Sequence, residues 1–200
     1  MKSKKLVVAG NGLSRRNLDL SSFTIIGCNA ICRDIDVDYL VACDKRMVKE
    51  ALTRNINPIY TRHRWAQAFN HESVHVLPNL PYKDTKRQDE PMNWGSGPYA
   101  ILLACELADI VHLVGFDLYK GNLYKATSNY TNKDVDPSYW IYQIAKIFEC
   151  YPDKSFRILN SKEWILPKEW SQPNVMVDKE LFYKYNILHV NEDSKTFTPL

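Results

Sequence analysis

Long hydrophobic runs are missing from the start of this sequence. After the basic Met-Lys-Ser-Lys-Lys only four apolar residues (6–9) come before Gly10, too few for the core of a signal peptide or for a membrane span. A soluble, cytoplasmic protein without a transmembrane segment is therefore expected. A dominant charge is missing too: 26 basic residues face 23 acidic ones, and the net charge of +3 gives no general field for a nucleic acid. A local basic site is still allowed. Metal-binding spacings are absent as well, since His63, His71, His75, His112 and His189 form no H-E-x-x-H pattern and Cys28 with Cys32 has no matching second pair. The five cysteines are odd in number and three lie within apolar runs, so they read as reduced core residues and not as a disulfide framework. There is no internal repeat and no low-complexity block.

What is present is an alternation. Apolar, β-branched runs at residues 6–9, 24–28, 39–43, 58–60, 74–77, 110–114 and 156–159 are separated in several places by helical patterns, notably 45–54, 97–108 and 137–151. That order predicts a Rossmann-like α/β fold, a mainly parallel sheet with helices on both faces. Residues 97–108 are apolar nearly all round, which predicts a central buried helix with Pro98 in its first turn and Ser96 as N-cap. Residues 1–165 form the expected domain. Residues 166–200, rich in proline and aromatics with one helical stretch at 178–187, are expected to be an appendage packed on it.

Ligands of open α/β sheets bind beyond the carboxyl ends of the strands, where helix amino ends present free amides. Four loops are expected there. In KLVVAGNGLSRRN (5–17) a buried strand runs into Gly10-Asn11-Gly12, where the backbone can turn sharply and approach a phosphate, with Ser14 and Arg15 or Arg16 to contact it. The third glycine of G-x-G-x-x-G and the Gly-Lys-Ser/Thr of a P-loop are both absent, so a plain tight turn competes with this reading. Asn29 ends the next strand and offers a donor and an acceptor to a base or ribose; an Asx turn is the alternative. Residues 93–97 (NWGSG) precede the buried helix as a second anion site or a simple cap. The polar stretch 115–134, holding Asp117, Tyr119, Gly121 and Tyr124, fits a mobile lid or a binding loop; Tyr119 and Tyr124 could donate hydrogen bonds to a leaving phosphate, with plain packing the alternative for either one.

Taken together, Ala9-Gly10-Asn11-Gly12-x-Ser14, Cys28-Asn29, Gly95-Ser96-Gly97-x-Tyr99 and Val114-Gly115-Phe116-Asp117-x-Tyr119, with Tyr124 beyond, resemble the bacterial sialyltransferases of glycosyltransferase family 42 across roughly residues 5–160. The resemblance implies a single GT-A-type domain that needs no metal or other cofactor. It implies a CMP-sugar donor, with CMP-sialic acid as the family's own, and a glycan acceptor. Asn11 and Asn29 then match the donor-binding asparagines, Ser96 and Gly97 the turn touching donor, and Tyr119 and Tyr124 the pair beside the leaving phosphate. Gly10, Gly12 and Ser14 complete the donor loop. The family's general-base histidine has no counterpart in residues 132–139, where Asp117, Asp134 or Asp136 stands in as candidate base, and a helical region on the family's acceptor side is not among these residues.

Two further readings stay open: a Mg²⁺-dependent pyrophosphokinase related to the pterin-phosphorylating enzymes, and a non-catalytic nucleotide or glycan binder. The first needs the D-x-D pairs of Asp34, Asp36 and Asp38 to hold metal, but these precede a strand at its amino end and read better as a solvated turn. Arg62-His63-Arg64-Trp65 is expected to start a surface helix, although it could stack a base or sugar. Residues 83–90 (KDTKRQDE) are expected to form a solvated loop, and His112 to sit satisfied in the core. A homo-oligomer is compatible with the sequence, which names no interface.

Overall fold

Strands buried on both faces need apolar side chains at successive positions, and all seven apolar runs form strands in the computed structural model, which describes residues 5–119, 121–133 and 135–187. Asp134 and His189 lie outside the described residues. The strands are β1 (Lys5–Ala9), β2 (Phe23–Cys28), β3 (Tyr39–Val41), β4 (Ile59–Thr61), β5 (Val74–Val76), β6 (Ile110–Val114) and β7 (Ser155–Ile158), with an eighth, β8 (Val175–Val177), beside β7. Every pairing is parallel and the order is β5-β4-β3-β2-β1-β6-β7-β8.

The two-residue alternation of a strand decides what each face buries. In β1, Leu6 and Val8 join one core while Val7 and Ala9 join the other. The first core is covered by α3 (Ser96–Leu107) and α4 (Ser138–Cys150), the second by α1 (Lys45–Thr53) and α5 (Lys179–Tyr185). A short α2 (His63–Phe69) begins where the Arg62–Trp65 run predicts a surface helix. Pro98 and every residue from Tyr99 to Cys105 are buried in α3, which explains a helix without a polar face. No helix among the described residues is long and apolar enough to cross a membrane. The architecture is Rossmann-like α/β.

Two expectations change, those for Ser96 and for residues 83–90. Ser96 is the first residue of α3 and not its cap, because Gly95 takes the cap position and the serine hydroxyl bonds elsewhere. Within the stretch 166–200, of which 188–200 lie outside the described residues, β8 extends the sheet, and the fully buried Trp170 donates its indole N–H to the Ile141 carbonyl at 2.9 Å. The charged stretch 83–90 is fastened at its end, where the buried Asp89 accepts from the Tyr82 and Tyr142 hydroxyls at 2.6 and 3.2 Å.

Strands β1 to β5 step outward on one side, and β6 then returns to pair with β1 from the other. This reversal is the switch point at which an open α/β sheet leaves a crevice above its carboxyl edge.

Candidate functional site

The floor of that crevice is an interlock between two loops. Gly10 N–H donates to the Val114 carbonyl and Gly12 N–H to the Gly115 carbonyl, each at 2.8 Å. A Cβ on Gly10 would stand 2.5 Å from the Gly115 oxygen, and one on Gly12 would stand 2.6 Å from both that oxygen and an Asp117 carboxylate oxygen. The glycines of the first loop are therefore required by its neighbour across the switch point, whatever ligand lies above. Gly115 itself has φ +68°, a conformation that glycine adopts without strain.

Above this floor lies a crevice of about 530 Å³ whose walls include Asn11, Asn29, Ser96, Gly97 and Tyr119. Asn29 stands at φ +51°, which asparagine tolerates better than most residues. The Cys43 backbone N–H donates to Ser96 Oγ at 3.0 Å, and Ser96 Oγ donates in turn to Asn29 Oδ1 at 2.8 Å. Ser96 Oγ thus accepts from the backbone and passes its own proton on to the Asn29 carbonyl oxygen, which uses both capacities of the hydroxyl. Asn29 Nδ2 is left as a donor without a partner among the described residues. Asn11 Nδ2 donates to the Tyr130 hydroxyl at 3.0 Å, and its Oδ1 is buried with no donor. A buried carbonyl oxygen without a partner is costly, and a ligand N–H or O–H is the kind of group that satisfies it.

The tyrosines of the loop after β6 separate. Tyr119 is 74% exposed and lines the crevice. Tyr124 is 6% exposed and is not part of the crevice wall: it donates to Asp34 and accepts from Arg15 in a short hydrogen-bonded triad. Burial is the main cause that raises its pKa, with the Asp34 bond adding to it. Tyr130 is the aromatic that lines the crevice instead, its hydroxyl pushed up to about 12 by burial. The loop is also held from outside by Arg33, which donates to Thr127 Oγ1 and the Ser128 carbonyl at 2.8 Å and pairs with Glu50 at 2.5 Å.

Several expected contacts are used up within the protein. Arg15 is 2% exposed and donates to the Gly10 carbonyl, Asp34 and Tyr124, so it is a strut under the loop and not a phosphate ligand. Ser14 does not line the crevice; its N–H and hydroxyl donate to Asp117, which also accepts from Asn160 at 3.1 Å. Asp117 is thus a crevice residue whose carboxylate organises three donors. Asp136 is exposed, caps the backbone N–H of Ser138 at 2.9 Å and lies outside the crevice wall. In the D-x-D run, Asp34 holds Arg15 and Tyr124, and Asp38 accepts from the Ile25 N–H at 2.7 Å.

Other lining residues are not singled out by the sequence: Asp44, three residues past β3 at the start of α1, Arg62 after β4, which reads mainly as the start of a surface helix, Trp94, Tyr130 and Trp140. A position just past the carboxyl end of a strand was the available signal for the first two. No histidine lines the crevice among the described residues. Cys28 and Cys43 do line it, but burial pushes their thiols up to about 12 and about 11, which leaves almost no thiolate nucleophile at neutral pH. No family model, curated protein or solved structure matches the chain.

Proposed function

We propose that the chain is a nucleotide-sugar-dependent glycosyltransferase of the metal-independent, sialyltransferase-like kind, with the crevice taking the CMP part of the donor. The observation that carries this reading is the meeting of Asn11 and Asn29, from adjacent strands, with the amino end of α3 and Tyr119 around one hollow. The unpartnered Asn29 Nδ2 and Asn11 Oδ1 offer a donor and an acceptor, as a nucleoside requires. The amides of Ser96 and Gly97 and the positive end of α3 favour a phosphate. Tyr119 then donates to the phosphate as the sugar leaves and negative charge grows on it. Of the crevice carboxylates, Asp117 already accepts three hydrogen bonds from Ser14 and Asn160, so Asp44, which makes no side-chain cap bond, is the group more open to accept a proton from an acceptor hydroxyl.

Calorimetric titration with CMP, CTP and ATP, each with and without Mg²⁺, tests this. The expected result is CMP binding that is indifferent to metal, followed by release of CMP from a CMP-sugar. Tyr119→Phe is expected to slow that release about tenfold or more with stability unchanged, whereas Tyr124→Phe, which strands Arg15 and Asp34, is expected to cost stability of about 1–3 kcal/mol. Binding of ATP only with Mg²⁺ points instead to the pyrophosphokinase and removes the proposal. A second reading, a nucleotide binder without turnover, is favoured by one observation, the absence of a crevice histidine among the described residues. CMP binding with no loss of CMP-sugar over days supports that reading over the first.

A further inference from the structure

Arg62 is the residue after β4, three strands from β1 and so roughly 14 Å from the first loop at ordinary strand spacing. It lines the same crevice. Its Nη2 donates to the Trp94 carbonyl at 2.7 Å, while its Nε is buried with no acceptor. No carboxylate pairs with it among the described residues, in contrast to Arg15 with Asp34 and Arg33 with Glu50. Trp94, wholly buried and in ring contact with Tyr82 and Tyr99, also lines the crevice, and its indole N–H is a second buried donor without an acceptor. Arg62 as a residue is only partly buried, but its Nε and the adjoining Trp94 indole N–H are both buried donors without an acceptor in the chain, and an oxyanion is the kind of group that satisfies such donors.

We propose that Arg62 and Trp94 form an oxyanion subsite, separate from the nucleotide loops, that takes a carboxylate or phosphate group of a second molecule. Asp44, exposed at the start of α1, borders the same crevice and offers an acceptor to a hydroxyl on that molecule. The assignment to a second molecule rests on the proposed nucleotide site, and the test separates the two.

The full chain labelled with ¹⁵N carries five tryptophan indole N–H signals, and that of Trp94 is assigned by triple-resonance spectra with Trp94→Phe as a check. Sodium phosphate, sodium acetate and, as ionic-strength control, sodium chloride are titrated in turn. A saturable downfield shift of the Trp94 signal with phosphate or acetate but not chloride is expected, its midpoint at least tenfold higher in Arg62→Gln and partly restored in Arg62→Lys. A response to phosphate alone identifies a phosphate group, and one to acetate alone a carboxylate. No shift with either anion, or an unchanged midpoint in Arg62→Gln, overturns the subsite. Phosphate or acetate is then titrated onto CMP-saturated protein: a retained Trp94 response supports a second molecule, and its loss assigns Arg62 to the nucleotide's own phosphate and overturns the proposal. Failure of CMP to bind while the Arg62-dependent response persists removes the nucleotide reading and leaves the subsite standing.

Discussion

Asn29 occupies two constrained positions at once, since its backbone stands at φ +51° and its side-chain oxygen is taken by Ser96. Aspartate tolerates the same backbone and keeps the same bond from Ser96, but replaces the amide donor by an acceptor. Asn29→Asp is therefore expected to weaken CMP binding tenfold or more, about 1.4 kcal/mol, with a melting temperature close to the parent's. The asparagine was legible in the sequence because it directly follows an apolar strand. The roles of individual tyrosines were not: Tyr119, Tyr124 and Tyr130 share one loop without periodicity, and only tertiary packing sends one into a buried triad and leaves two on the crevice wall. Arg62 was hidden for a related reason, since a cation beside Trp65 looks like the start of an exposed helix.

Among elements, the loop after β6 is better described as a strapped roof than as a free flap. Arg33 ties Thr127 and Ser128 to Glu50 on α1, and Asn129 Nδ2 donates to the same carboxylate at 3.0 Å. Arg33→Ala is expected to speed amide exchange in residues 121–133 about tenfold or more while β1 and β6 stay protected, as measured by hydrogen–deuterium exchange. The Arg33 bond holds the Glu50 carboxyl below its ordinary value of 4.5. Its folded pKa being depressed, the strap contributes above pH 4.5 and is lost as pH falls through the folded value. The central strands and long helices could be read in advance because burial on both faces writes continuous apolar runs, and edge strand β5, though largely exposed, keeps two valines at alternate positions. Strand β8 could not be read so, because its three residues, Val175–Val177, stand in a stretch rich in proline and aromatics where no helical pattern separates them from the strand before.

At the scale of the whole molecule, the opposite edge of the sheet holds a buried titratable group. His112 is 3% exposed in β6, donates from Nδ1 to the Leu6 carbonyl at 3.0 Å and packs edge-on against Phe23. Burial lowers its pKa below the ordinary 6.5, so the unfolded chain binds the proton more readily. Stability is then unaffected well above pH 6.5 and falls as pH drops from 6.5 toward the folded value. Thermal melts between pH 7.5 and 5.5 are expected to show that decline, and His112→Gln to flatten it.

Strand β1 has one neighbour that follows it closely, β2, and another, β6, about a hundred residues later in the chain. During synthesis the first half of the polypeptide leaves the ribosome with β1 as an open edge, and the hollow has no floor until Val114 and Gly115 arrive to lock Gly10 and Gly12. Any severed halves of the chain, cut between these partners, have to reassemble before a ligand can be held.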